Sequence, residues 1–155
     1  MTSTNDPAYV SDDTGVVLGT LITDRPLEPL AAAAYDDVMV ASMGACVTFN
    51  GIVRNHDGGQ RVRSLSYTSH PTAEAIMATV ADKVLDRHPD VRIWAAHRIG
   101  GIAIGEAAFV VHVASAHRDA AFRACSDMAD TVKAEVPIWK EQLLESGDTQ
   151  WVGLT

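Results

Sequence analysis

SAHRDAAFRACSDMADTVKAEVPIWK, residues 115–140, is the stretch that decides how the rest of the chain is arranged. From Arg118 onward, apolar residues recur at three- and four-residue spacing, which predicts a helix packed on one side. The members of this stripe are Phe122, Cys125, Met128, Ala129 and Val132. Ser115 is a candidate cap at the start of the helix, and Pro137 ends it. A helix rises ~1.5 Å per residue, so Arg118 and Lys133 lie roughly 22 Å apart, too far for one compact pocket to use both from the same copy.

Outward from this helix, the chain alternates between strand and helix patterns. Strands are predicted at residues 16–23, 43–53, 62–68, 91–98 and 107–114, and helices at residues 27–35 and from Pro71 to His88. Gly100, Gly101 and Gly105 indicate a turn region, Leu143 and Leu144 a short helical turn, and residues 150–154 a last short strand. This order predicts an α+β domain with a mainly antiparallel sheet and flanking helices.

Composition places limits on the class of protein. With 155 residues and 47% apolar content, the chain suits one domain, residues 15–155, after a loose tail, residues 1–14. A net charge of −8 argues against a protein that binds nucleic acid. Two cysteines without a CxxC pair favour a reducing compartment. Because there is no signal peptide and no apolar run of ~20 residues, we expect a cytoplasmic protein that does not span a membrane.

The strand at residues 43–53 leads into a basic, glycine-containing loop. Arg54, Asn55 and His56 precede Asp57-Gly-Gly, and Arg61 and Arg63 follow. Such a loop can be mobile and close over an anion, or it can be a solvated hairpin. The residues alone leave both interpretations open.

Two pairs of residues at the ends of the helix are candidates for chemistry. Lys133 and Lys140 lie near apolar neighbours, which favour a lowered lysine pKa and a role as acid, base or nucleophile. His117 and Arg118 lie at a strand-to-helix junction, where free N–H groups and a cation favour an anion such as phosphate. The alternatives are ordinary solvated lysines and a capped helix start with a surface arginine.

Histidines and cysteines give little indication of a reactive site. The histidines at positions 56, 70, 88, 97 and 112 lack the spacing of a metal motif, so we expect no metal. Cys46 falls within a strand and Cys125 on the apolar stripe of the helix, where thiols are usually inert. We therefore expect neither cysteine to carry sulfur.

Three motifs together resemble a known family. The SAHR tetrapeptide, KAEVPIWK with its two lysines seven residues apart, and the upstream TFNGIVRNH are similar to the catalytic (large) subunit of molybdopterin synthase. The similarity runs from about Leu18 to Val152. It implies a dimeric, α/β-hammerhead-like domain and an enzyme, a sulfurtransferase that converts cyclic pyranopterin monophosphate into molybdopterin in molybdenum cofactor biosynthesis.

The resemblance also implies roles for individual residues. Lys133 and Lys140 match the family's catalytic lysines, and the positions that match its substrate-binding residues are Phe49, Arg54, His117 and Arg118. In the family the last two reach the lysine site of the neighbouring subunit, which agrees with the helix length. Ala129 replaces a larger residue common in relatives and predicts a roomier pocket wall.

The implied partner is a small ubiquitin-like subunit that carries sulfur on a C-terminal Gly-Gly thiocarboxylate, in a heterotetramer built on the dimer. No cofactor is implied. Two other classes of function stay open: a non-catalytic module that binds a Gly-Gly tail, and a dimeric domain that senses a small molecule. Co-purification with a Gly-Gly-terminated protein and turnover distinguish the three.

Overall fold

The computed structural model describes residues 13–153, which form two sheets and three helices in one α+β domain. The helices are α1 (Leu27–Val38), α2 (Ala73–Arg87) and α3 (Arg118–Glu135). The strands are β1 (Val16–Thr23), β2 (Ala45–Ile52), β3 (His56–Asp57), β4 (Gln60–Ser69), β5 (Val91–Arg98), β6 (Gly100–Ile102), β7 (Ala107–Ser115), β8 (Ile138–Leu144) and β9 (Thr149–Val152). The predicted fold class is confirmed.

A four-stranded sheet with the order β1-β5-β7-β2 forms the centre of the domain. β1 runs parallel to β5, and the other two pairings are antiparallel. All nine residues of β7 are buried, because α2 and α3 cover one face of this sheet and α1 covers the other. A strand covered on both faces is expected to be almost continuously apolar, which explains the sequence AAFVVHVAS.

A second, antiparallel sheet carries the order β3-β4-β8-β9, with β6 paired to β4. The glycines at positions 100 and 101, expected in a turn, belong to β6. Ile102 at the end of β6 is buried with Val53, Leu65 and Ala108, which anchors the glycine segment against β4.

Two details predicted for α3 are wrong. Phe122 is 59% exposed, and the buried face consists of Ala121, Ala124, Cys125, Met128 and Val132. Small residues let the helix approach the sheet closely, and the aromatic ring points away. Ser115 does not cap α3 either, because its Oγ donates to the carbonyl of Asp90 and the N-cap position is His117.

The C-terminal part also differs from the prediction. Leu143 and Leu144 do not form a helical turn; they belong to β8, which pairs with both β4 and β9. The last short strand is confirmed as β9, although Leu154 lies outside the described residues. The expected loose tail lies outside them up to residue 12, and Asp13 is held by Arg92, whose Nη1 donates to its carbonyl.

The described helices are too short or too polar to cross a membrane.

Candidate active site

Two adjoining cavities lie where the two sheets meet the C-terminal end of α3. The first, of about 340 Å³, is called the aromatic cavity; its walls include Phe49, Ile52, Tyr67, His97, Phe109, Ala129, Asp130 and Lys133. The second, of about 300 Å³, is called the polar cavity; it is lined by Arg54, Asp57, Tyr67, Lys133, Ile138, Lys140, Val152 and Gly153. Because Tyr67 and Lys133 line both cavities, they stand at the boundary between them.

The change from helix to strand places the two lysines in the polar cavity. α3 ends at Glu135 and β8 begins at Ile138, so Lys133 lies in the last turn of the helix and Lys140 is the third residue of the strand. Val136, between them, is fully buried, which fixes the connecting segment. Lys140 pairs with Tyr67 across the β4–β8 ladder. The lysines therefore come from different elements and line the same cavity.

The carboxylate of Asp57, which no motif in the sequence marks, contacts two of the three cations that line the polar cavity. Lys140 Nζ donates to Asp57 Oδ2 at 3.2 Å, and Gln142 Nε2 donates to the same oxygen at 2.8 Å. Arg54 Nη2 lies 3.6 Å from Asp57 Oδ1. The hydrogen bond from Gln142, followed by that from Lys140, holds the pKa of Asp57 below its ordinary value.

Aromatic rings form a continuous wall of the aromatic cavity. The Tyr67 and His97 ring centroids are 4.9 Å apart, those of His97 and Phe109 are 5.5 Å apart, and those of Phe109 and Phe49 are 5.9 Å apart. These edge-to-face and stacked arrangements are the favourable geometries for ring pairs. Burial raises the pKa of Tyr67, and the nearby carboxylate of Asp57 adds to this rise.

His97 is a neutral, buried member of this wall. Only 6% of it is exposed, and burial lowers its pKa to about 4, although its bond to a backbone carbonyl opposes the shift. Since Nδ1 lies 2.8 Å from the carbonyl oxygen of Arg98, it is the nitrogen that carries the proton. The deprotonated Nε2 is then a hydrogen-bond acceptor.

The two residues of the SAHR turn lie away from these cavities. His117 and Arg118 are at the N-terminal end of α3, and neither lines the aromatic or the polar cavity. At ~1.5 Å per residue, the helix separates Arg118 from Lys133 by roughly 22 Å. Within one chain, the fold thus brings together four of the six site residues named from the sequence: Phe49, Arg54, Lys133 and Lys140.

Strand alternation is the signal that could have revealed the missed residues. Once residues 138–144 are read as a strand, Lys140 and Gln142 lie on the same face. In β5, Ile93, Ala95 and His97 likewise share one face, so the histidine follows two core residues. Asp57 has no local signal, because its partners Lys140 and Gln142 are 83 and 85 residues further along the chain.

The two thiols are poor nucleophiles. Burial raises the pKa of Cys125 to about 11 and also raises that of Cys46, so both are protonated near neutral pH. Residues 13–153 contain no group of three or more His, Cys, Asp or Glu side chains arranged to hold a metal ion.

Comparisons with known proteins agree on one family. The family model described as MoaE protein matches residues 22–135. The molybdopterin synthase catalytic subunit of Thermoplasma volcanium is 38% identical over 131 residues, which cover 84% of this chain and 94% of the relative. The protein of that name from Homo sapiens is 38% identical over 128 residues, covering 81% of this chain and 68% of the relative.

Two solved structures show the same fold. The crystal structure of molybdopterin synthase from Staphylococcus aureus matches with a TM-score of 0.78 and 30% identity, covering 85% of this chain and 95% of that one. A complex of subunits 1 and 2 of molybdopterin-converting factor from Helicobacter pylori matches with a TM-score of 0.68 and 21% identity, covering 88% and 89%.

Proposed function

This chain belongs to the MoaE protein family and has the enzymatic function of a molybdopterin synthase catalytic subunit; on that premise we propose which of its residues transfer sulfur. The reaction converts cyclic pyranopterin monophosphate into molybdopterin by installing two sulfur atoms. Lys133 and Lys140 are the catalytic residues. The observation that carries this proposal is that both lysines, with Arg54, line one polar cavity although they come from different elements.

The polar cavity receives the sulfur donor. Its cations suit an anionic group such as the thiocarboxylate at the Gly-Gly end of a small ubiquitin-like subunit. There the ammonium groups of Lys133 and Lys140 orient the thiocarboxylate. They also move protons while the thiocarboxylate sulfur bonds to the substrate and water then cleaves the acyl–sulfur bond, which leaves the sulfur on the substrate and releases the tail as a carboxylate. Neither cysteine is needed, because the partner brings the sulfur.

The aromatic cavity suits the flat pterin of the substrate. A volume of about 340 Å³ is within the range of small-molecule sites, and Phe49 supplies an aromatic face at its wall. Arg54 lines the neighbouring polar cavity, where its guanidinium can bind the substrate phosphate with two parallel hydrogen bonds. Lys133, at the boundary, lies between the sulfur donor and the ring that receives the sulfur.

A second copy of the chain completes the substrate site in this proposal. His117 and Arg118 are too far from Lys133 in their own chain, so they act on the lysine cavity of the other copy and contact the phosphate and pterin. The working assembly is then a homodimer that binds two small subunits, a heterotetramer. We place it in the cytoplasm, where its thiols stay reduced.

Replacing either lysine tests the proposal directly. Lys133→Ala and Lys140→Ala should each lower the rate of molybdopterin formation from thiocarboxylated small subunit by roughly 10²-fold or more, because proton transfer by a positioned group contributes at least that much. Lys83→Ala is the matched control, since Lys83 pairs with Glu135 on the surface and lines neither cavity.

Wild-type rates in both lysine variants would remove these residues from the mechanism. If the wild-type chain binds the Gly-Gly tail and forms no molybdopterin, it is a binding module and the proposal fails as a whole.

A further inference from the structure

We infer that Asp57 is a positioning residue whose carboxylate holds the ammonium group of Lys140 and the guanidinium group of Arg54 at the wall of the polar cavity, in the orientation that sulfur transfer requires. This inference rests on the proposed function and adds a residue to it. Three side chains converge on this one carboxylate: Lys140 and Gln142 on Oδ2, and Arg54 on Oδ1.

The carboxylate is fixed from the buried side of the cavity. Gln142 is only 2% exposed, and its Nε2 also donates to Gln150 Oε1 at 3.0 Å. Gln142 and Gln150 face each other across the β8–β9 ladder, so the amide that holds Asp57 is part of the sheet. Because the amide cannot swing away, Asp57 gives the flexible side chain of Lys140 a fixed point of attachment.

The hairpin that carries Asp57 is also well defined. Asp57 pairs with Gln60 across a two-residue turn, and both turn residues, Gly58 and Gly59, have positive φ angles, 58° and 79°. Glycines at both positions are typical of the tight hairpin turn whose twist matches that of the flanking strands. The basic segment after Arg54 is therefore a hairpin, and its carboxylate lies over the cavity that Arg54 lines.

The carboxylate of Asp57 partly neutralises the positive charge of the polar cavity. The described walls of the polar cavity contain three cations, Arg54, Lys133 and Lys140, and one carboxylate, Asp57. The excess of positive charge attracts an anion, and Asp57 limits the mutual repulsion of the cations. Removing this negative charge should strengthen anion binding and leave Lys140 less well oriented. Binding and turnover should then change in opposite directions.

Asp57→Asn is the decisive variant, because asparagine keeps an oxygen acceptor for Lys140 and Gln142 but loses the charge. We expect kcat for molybdopterin formation to fall about tenfold, the order of one charge-assisted hydrogen bond, while KM for the thiocarboxylated partner falls. Gln60→Ala is the matched control on the facing strand of the hairpin and should keep both parameters. Rates are normalised to folded protein, with melting temperature measured for every variant.

Exchanging the carboxylate of Asp57 and the amide of Gln142 distinguishes a positioning role of Asp57 from a merely structural one. In Asp57→Asn with Gln142→Glu, the network again contains one carboxylate and one amide. The new carboxylate lies two residues from Lys140 on the same face of β8. We expect the double variant to recover at least part of kcat, whereas a merely structural role of Asp57 would predict a further loss, because a new charge is buried.

Wild-type kcat in Asp57→Asn would overturn the inference. The inference would also be overturned if Asp57→Asn lowered kcat and raised KM for the thiocarboxylated partner, and if the folded double variant with Gln142→Glu did not reverse these changes. KM is measured separately for the thiocarboxylated partner and for the pterin substrate. A change confined to the KM of the pterin substrate would mean that Asp57 acts on Arg54 and not on Lys140, and would contradict the inference as stated. If the wild-type chain itself forms no molybdopterin, the proposed function is wrong. Failure of the inference about Asp57 is a different result, because it requires an active wild type, for example with an equally active Asp57→Asn variant.

Discussion

Acidification should destabilise this protein through His97, well before the carboxylates of the fold are protonated. Burial lowers the pKa of His97 from 6.5 to about 4, and the ring is packed between Tyr67 and Phe109. The unfolded chain binds a proton at this histidine near its ordinary pKa, whereas the folded chain does not. The contribution of His97 to stability is therefore fully present above about pH 6.5 and is lost as the pH falls towards about 4.

The size of the effect follows from the two pKa values. Each pKa unit corresponds to ~1.4 kcal/mol, so His97 alone should lower the free energy of unfolding by about 2 kcal/mol between about pH 7 and about pH 5. This loss is a large part of the stability of an ordinary domain, ~5–15 kcal/mol. It should be measurable in urea unfolding followed at several pH values.

The variant His97→Asn isolates the contribution of His97 protonation to the pH dependence of stability. Asparagine does not titrate, and its amide can donate to the Arg98 carbonyl in place of Nδ1. The variant should be less stable near neutral pH because the ring contacts are lost, but its stability should fall by about 2 kcal/mol less than that of the wild type between about pH 7 and about pH 5. Val113→Ala, a buried change elsewhere in the same sheet, should lower the stability and keep the wild-type pH dependence.

All three proteins must be compared at one protein concentration, because dimerisation would make apparent stability depend on it. Equal losses of stability on acidification in the wild type and in His97→Asn would refute the reasoning. That result would mean that the folded protein admits water or a proton to the wall of the aromatic cavity.

Two further predictions concern residues outside the cavities. Cys46→Ser combined with Cys125→Ser should keep sulfur transfer, since burial raises the pKa of both thiols; loss of turnover in folded double variant would show that a thiol takes part. Asp127→Asn should lower the free energy of unfolding by about 1–2 kcal/mol near neutral pH, because Asp127 joins α3 to Arg87 and His88 at the end of α2. The hydrogen bond from Arg87 is the main cause that lowers the pKa of Asp127 to about 2, so the advantage of the wild type should disappear as the pH falls from about 4 through about 2 in urea unfolding; a constant difference would contradict this.

Much of the fold could be predicted because its strands carry local signals. Residues 16–23 and 91–98 match β1 and β5 at both ends, since β-branched and apolar runs are bounded by turn residues. The orientation of α3 could not be predicted as well, because a stripe at three- and four-residue spacing does not show which neighbouring row faces the sheet. The choice of Phe122 over Ala121 assumed that the larger residue is inside, and close helix–sheet packing favours the smaller one.

Local sequence patterns were even less able to predict the candidate site than the orientation of α3. Lys140 and Gln142 lie on the same face of β8 as Ile138 and Leu144, and these two polar residues interrupt the apolar alternation that would have marked the strand. Asp57, the partner of Gln142, is 85 residues away, so no local pattern could justify burying an amide at position 142. The residue that fixes the carboxylate of the polar cavity is thus one of the two that made the strand hard to recognise in the sequence.

The change from helix to strand between Lys133 and Lys140 explains how two lysines seven residues apart can line one cavity. In one continuous helix, Lys133 and Lys140 would share a face and lie ~10.5 Å apart along the axis, and both would depend on that one helix for their position. In the fold, α3 ends after Lys133, and buried Val136 and Ile138 fix the entry into β8. Because β8 is then held in register by β4, the second lysine returns to the cavity that the first one lines. Two cations on independently anchored elements keep their geometry when an anion binds between them, which is what the proposed transfer of sulfur from a thiocarboxylate would require of this pair.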